Sequence, residues 1–173
     1  MLQLAKTLYN RDIISLRNSQ VVGTATQPII NPNNLKIEGW YAVDRYSGED
    51  LILPVIEVRE LNRYGIAVND HTAMTPESDL VRLQKILLIR FQLLKKKVVT
   101  ESKQVVGTIS DYSYDDSGMT VQKLYVTPRG LKSLASSDKV IGRSQIVNIT
   151  DKQITVRDTT SKLPFGAKLP LEA

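Results

Sequence analysis

The chain contains no cysteine and a single histidine, and has no apolar run long enough to span a bilayer. Without cysteine there is no disulfide framework, no thiolate nucleophile and no thiolate metal site. The most apolar run, Ile86-Leu87-Leu88-Ile89, is closely flanked by Lys85 and Arg90 and is too short to cross a membrane. Residues Met1 to Tyr9 lack the apolar core of a signal peptide, so the expected location is the cytoplasm, or the periphery of a membrane assembly.

Catalytic signatures are equally scarce. His71 lies within Asn69-Asp70-His71-Thr72, where neighbouring side chains of a turn rarely converge on one substrate atom, so a solvated or hydrogen-bonded loop histidine is expected. No histidine cluster exists to complete a metal site around it. Ser110 and Ser144 lie outside G-x-S-x-G, and no glycine falls in a phosphate-loop pattern. Asp111, Asp115 and Asp116 lack the spacing and terminal glutamate of a calcium loop and read as a turn instead. The expectation is therefore a protein that is not an enzyme and needs neither cofactor nor metal.

What the chain does have is a repeat. Gln20-Val21-Val22-Gly23-Thr24 returns unchanged as Gln104-Val105-Val106-Gly107-Thr108, eighty-four residues later. The same offset aligns Ile14 with Val98, Ile37 with Val121, Trp40 with Leu124 and Tyr41 with Tyr125. Further along it becomes eighty-eight, pairing Val58, Leu61, Ile66 and Val68 with Ile146, Ile149, Ile154 and Val156. An insertion between Pro128 and Gly142 accounts for the change, and a surface loop accommodates one at little entropic cost.

The repeating unit reads as β-structure. Ile66-Ala67-Val68 and Ile154-Thr155-Val156 have a strand period, and Asp115 to Gly118 is a turn between strand candidates at Ile109 to Tyr114 and Thr120 to Val126. Gly23 and Gly107 mark a bend, a bulge or a close approach of neighbouring backbone. Between the copies, Thr75 to Asp79 supplies helix-start signals and Leu80, Leu83, Leu87, Phe91 and Leu94 form a helical stripe, which predicts a helix over Ser78 to Leu94.

This order of elements resembles the PRC-barrel family, the small β-barrels of the photosynthetic reaction-centre H subunit and of the C-terminal part of the ribosome maturation factor RimM. The matching pieces are Val106-Gly107-Thr108-Ile109-Ser110-Asp111, Lys123-Leu124-Tyr125-Val126 and Ile141 to Ile149 in the second copy. The first copy offers Val22-Gly23-Thr24, Trp40-Tyr41-Ala42-Val43 and Leu53 to Leu61. The first copy carries Gln27 where the second has Asp111, the frequent family acid after the Val-Gly strand. The resemblance implies a mainly β fold of two tandem small barrels joined by an apolar helix: residues 1–77, 78–94 and 95–158, with a tail at 159–173. It also implies a noncatalytic adaptor or scaffold that binds another protein or a macromolecular assembly, or alternatively a ribosome or RNA-maturation factor.

Lys95-Lys96-Lys97 follow the predicted helix, and the chain carries a formal net charge of +5, with Arg129 and Arg143 among its further cations. Lysines there oppose the negative end of a helix dipole; they also suit RNA phosphates, an acidic protein or an anionic membrane surface. Tyr112 and Tyr114 share one face of a strand, available to a partner if exposed and part of the core if not. The candidate contact set is thus Tyr112, Tyr114, Lys95, Lys96, Lys97, Arg129 and Arg143, with a protein partner expected first and RNA or ribonucleoprotein second.

Overall fold

The computed structural model describes residues 1–129 and 137–158. They form two sheets in tandem. The first has six strands: β2 (Arg11–Ser15), β3 (Val21–Ile30), β4 (Ile37–Asp44), β5 (Asp50–Pro54), β6 (Val58–Leu61) and β7 (Ile66–Val68), in the order β5-β4-β3-β2-β7-β6. The second repeats that order with β8 (Lys97–Thr100), β9 (Val105–Asp115), β10 (Thr120–Thr127), β11 (Lys139–Gly142), β12 (Ile146–Ile149) and β13 (Gln153–Val156), as β11-β10-β9-β8-β13-β12. A short β1 (Leu2–Leu4) adds to the second sheet by pairing with β9. Among the described residues no helix is long and apolar enough to cross a membrane.

The repeat extends to backbone detail that the sequence shows only in part. Thr26 is the extra residue of a bulge between β3 and β4, and Ser110 is its counterpart between β9 and β10. Each hydroxyl donates to a tyrosine carbonyl on the facing strand, Thr26 to Tyr41 and Ser110 to Tyr125, at 3.1 Å in both cases. Glu38 and Gln122 bulge in the same equivalent way. Non-glycine residues in left-handed conformation also recur in pairs: Asn10 with Lys95, Ser19 with Lys103, and Leu35 with Met119. Such positions are sparsely populated, so three recurrences mark a duplicated fold more firmly than the apolar pattern does.

Gly23 and Gly107 occupy close approaches. A Cβ on Gly23 would lie 2.8 Å from the Val43 carbonyl oxygen, and one on Gly107 would lie 2.1 Å from that of Thr127. Val43 and Thr127 are themselves equivalent positions. The eighty-eight-residue offset holds through β6, β7, β12 and β13: Val58 pairs with Val68 as Ile146 pairs with Val156. The inserted residues fall in the connection between β10 and β11, of which 130–136 lie outside the described residues.

Three expectations need correction. The register equates Val98 with Ile13 rather than Ile14, because Ile13 faces Gly23 and Ile66 as Val98 faces Gly107 and Ile154. A one-residue slip inverts the faces of a strand, and Ile13 and Val98 are both fully buried while Ile14 is only half-buried. Secondly, each sheet is half-closed where a closed barrel is expected: the end strands of each order, β5 with β6 and β11 with β12, share no ladder. They are joined instead by short 3-10 turns at Val55–Glu57 and Arg143–Gln145.

Thirdly, the connecting helix is only six residues long, α1 (Gln84–Ile89), instead of running from Ser78 to Leu94. Its apolar residues serve two separate neighbours. Leu87 packs with Ile29 and Ile52 in a small cluster, whereas Leu93 belongs to the main core. No straight helix meets both demands, and the chain turns out of α1 at Arg90, which is left-handed with φ 47°.

One core joins both halves. The turn ends of the sheets exchange reciprocal hydrogen bonds: Ile37 N–H donates to the Met119 carbonyl at 2.7 Å and Val121 N–H to the Leu35 carbonyl at 3.0 Å. Since Leu35 and Ile37 correspond to Met119 and Val121, the contact has local two-fold symmetry. The segments preceding each repeat are also exchanged. Residues 2–8 lie on the second sheet, and residues 84–94 border β3 of the first, with Phe91 to Lys95 lining a cleft shared with Gln27, Pro28 and Ile30.

Candidate functional site

The chain between α1 and β8 gathers most of the cationic residues that share one cleft. After Arg90 turns the backbone, Leu93 enters the core at 1% exposure, and Lys95, left-handed with φ 66°, anchors its N–H on the Ile109 carbonyl at 2.8 Å. The Lys96 carbonyl accepts from Ile109 N–H in return, at 3.0 Å. This clamp on β9 fixes where the two lysines start.

Around them lies a cleft of about 330 Å³ bordered by Arg90, Phe91, Lys95, Lys96, Asp151 and Lys152. The Lys96 ammonium sits 4.6 Å from the centre of the Phe91 ring and donates to the Asp151 backbone carbonyl at 2.5 Å. Partial burial lowers its pKa, and the Asp151 charge opposes that shift. The cleft thus holds four cationic side chains against one carboxylate, beside an aromatic ring.

The sequence-predicted residues do not form one site. Lys95 and Lys96 are in the cleft; Lys97 is a half-buried residue of β8 and does not border it. Arg143 lies elsewhere, donating to the Asn34 carbonyl at 2.9 Å beside residues 32–35 and 146–149. Arg129 is exposed just past the end of β10.

The exposed reading of Tyr112 and Tyr114 is overturned. Both rings are 0% exposed, covered by the N-terminal segment. Tyr114 Oη meets Thr7 Oγ1 at 2.9 Å and Tyr112 Oη meets Tyr9 Oη at 3.4 Å. Burial pushes the Tyr112 phenol far above its ordinary pKa. Their period-two spacing places both on the inner face, and β1 and the following 3-10 turn then seal that face. From the first sheet, Trp40 Nε1 donates to the Leu8 carbonyl of the same turn at 3.0 Å.

Arg90, Phe91 and Lys152 were not legible as site residues. Arg90 reads as the polar face of the predicted helix and Phe91 as its apolar stripe, so both are re-aimed by the left-handed turn. Lys152 comes from the loop between β12 and β13, far away in sequence.

His71 has one partner from another segment, the buried Asp44, whose other oxygen accepts from Tyr46 N–H at 2.7 Å and Ser47 N–H at 2.8 Å. Burial alone would raise the Asp44 pKa, but these hydrogen bonds and the His71 contact outweigh it and hold it below the ordinary carboxylate range. The Tyr46 ring stands edge-on to the imidazole. His71 itself is half exposed and caps the turn after β4, as a hydrogen-bonded loop histidine does. Among the described residues no group of three or more His, Cys, Asp or Glu side chains is placed to hold a metal ion.

No protein-family model matches the chain, and no curated protein matches it. Among solved structures it is similar to a 16S ribosomal RNA processing protein, RimM, from Pseudomonas aeruginosa. That match covers 90% of this chain and 97% of the other, at 14% sequence identity and a TM-score of 0.30.

Proposed function

We propose that this chain is a noncatalytic binding module for an RNA-containing assembly, with the cleft between α1 and β13 as its contact. The observation that carries the reading is the convergence of Arg90, Lys95, Lys96 and Lys152 on one cleft beside Phe91. Phosphates satisfy cations whose local acid, Asp151, is outnumbered, and the half-buried Phe91 ring, one face of which Lys96 covers, offers an apolar flank to an unpaired base. An unpaired base can reach such a flank and a base stacked in a duplex cannot, so the cleft fits single-stranded or loop RNA better than a regular duplex.

Anisotropy titration of ribosomal RNA fragments at low salt tests it. Binding should weaken steeply with salt, and charge reversal of Lys95, Lys96 and Lys152 together should reduce affinity by about tenfold or more while the fold stays intact. Absence of binding, or binding indifferent to the triple change, refutes the RNA reading.

A protein-adaptor reading has its own support at the other end of the second sheet. There the outer edge of β11 has no pairing strand among the described residues, Val140 is exposed, and a groove of about 760 Å³ is bordered by Leu2, Lys123 and Arg143. An extended peptide adds to such an edge through its backbone. Arg143→Glu would weaken that contact and leave RNA affinity unchanged.

A further inference from the structure

The outward face of α1 and of the turn at residues 81–83 that leads into it is not explained by RNA contact. Hydrogen bonds from Gln84 N–H to the Leu80 carbonyl and from Leu87 N–H to that of Leu83 continue the helical path backwards from α1. Residues 81, 85 and 88 therefore share a face. Val81 is 75% exposed and Leu88 77%, with Ile89 beside them at 48%. Arg82 and Lys85 lie exposed among these apolar side chains, and Arg90 follows. Leu87, on the opposite face, is wholly buried. Aliphatic side chains so exposed form a ridge, and no acidic residue lies between Leu80 and Arg90; the nearest, Glu77 and Asp79, precede the run.

We propose that this ridge docks the protein on an anionic lipid surface, with Val81, Leu88 and Ile89 entering the acyl boundary and Arg82 and Lys85 pairing with headgroup phosphates and carboxylates. Charge complementarity selects the occupant. The face is cationic and aliphatic, the combination that an amphipathic interfacial helix presents to a charged bilayer. RNA offers phosphates but nothing that rewards three exposed aliphatic side chains. A rigid protein would need a pocket matched to the ridge, whereas a bilayer yields to it. The run is helical, so it has no free backbone edge for strand addition. Ile89 also borders the cationic cleft, so Arg90, Lys95 and Lys96 continue the positive surface on one side. The proposal is independent of the RNA reading, because Val81 and Leu88 do not border the cleft and can be altered without touching it.

Co-sedimentation with phosphatidylcholine vesicles, with and without phosphatidylserine, supplies the test. The full chain should bind the anionic vesicles and not the neutral ones, and salt should weaken the binding. Val81→Gln and Leu88→Gln combined should reduce vesicle partition by about tenfold or more, with RNA affinity and thermal melting unchanged, since both side chains are exposed and neither borders the cleft. Arg82→Glu with Lys85→Glu should abolish the preference for phosphatidylserine. The proposal is overturned if the full chain ignores anionic vesicles or if the double variant binds them as well as the parent. It is equally overturned if the double variant loses only a concentration-dependent self-association, which would assign the ridge to a second copy of the chain.

Discussion

Replacing each repeat glycine by alanine separates identity in sequence from identity in space. At Gly107 the new methyl would start 2.1 Å from the Thr127 carbonyl oxygen and 2.9 Å from Cγ1 of the fully buried Val126. Real Cβ atoms keep at least 3.0 Å from such neighbours, so strand β10 must retreat by roughly 0.9 Å. A shift of that size carries a ladder bond beyond useful geometry and loosens Val126, for a loss of about 2–4 kcal/mol. At Gly23 the corresponding retreat is only about 0.2 Å, shared between the Val43 carbonyl and the pliable thioether of Met74. The unfolded chain loses entropy in both variants, which favours folding by about 0.4–1 kcal/mol, so Gly23→Ala should fall within about 1 kcal/mol of the parent. Urea denaturation with a common slope reads both values. Equal losses, or a loss below about 1 kcal/mol for Gly107→Ala, would refute the close-approach reasoning.

Two further outcomes are expected. Trp40→Phe removes the donor to the Leu8 carbonyl and part of a fully buried ring; thermal melting by far-ultraviolet circular dichroism should show a loss of about 1–3 kcal/mol, with the N-terminal segment loosening first in hydrogen exchange. Asp44→Ala strips the acceptor from Tyr46 and Ser47 N–H and should cost about 2–4 kcal/mol, whereas Asp44→Asn keeps a carbonyl acceptor and should cost less. The folded-state pKa of Asp44 lies below the unfolded value, so its stabilisation is present above the unfolded pKa and is lost as pH falls through the folded one. Acid titration of stability should therefore show a shallower acid limb for Asp44→Asn than for the parent; an identical limb would show that Asp44 contributes nothing there.

The sequence disclosed the duplication, the offsets of eighty-four and eighty-eight, the site of the insertion and the β character, because each is written in short-range periodicity and turn chemistry. It missed the offset of eighty-five that relates β2 to β8, and it left the two glycines open between a bend, a bulge and the close approach that the structure shows. It did not disclose the bulges at Thr26 and Ser110 or the left-handed pairs, since these depend on facing strands rather than on local propensity. The helix was overestimated for a physical reason: the stripe from Leu80 to Leu94 has a helical period, but its members are buried by different neighbours. Tyr112 and Tyr114 show the same limit. Their shared face was readable, while the segment that covers it comes from more than a hundred residues away.

The near-symmetry of the two repeats supports the proposed placement of the contact surfaces. Equivalent residues at the turn ends satisfy each other, as Leu35 and Ile37 do with Met119 and Val121, and are consumed in holding the halves together. The segments that precede each repeat begin as counterparts too: Leu8 and Leu93 are both buried in the common core, and Asn10 and Lys95 share a left-handed backbone. Upstream of that point the likeness ends. The first segment becomes β1 and covers Tyr112 and Tyr114; the second becomes α1, buries Leu87 and leaves Val81, Leu88 and Ile89 facing outward with arginine and lysine between them. Cohesion of the fold accounts for Leu87 but not for that exposed face, nor for four cations gathered next to it. The proposed recognition surface thus centres on the stretch where the two halves stop resembling each other and on Lys95, Lys96 and Lys152 beside it, and the ridge and cleft variants test its two faces separately.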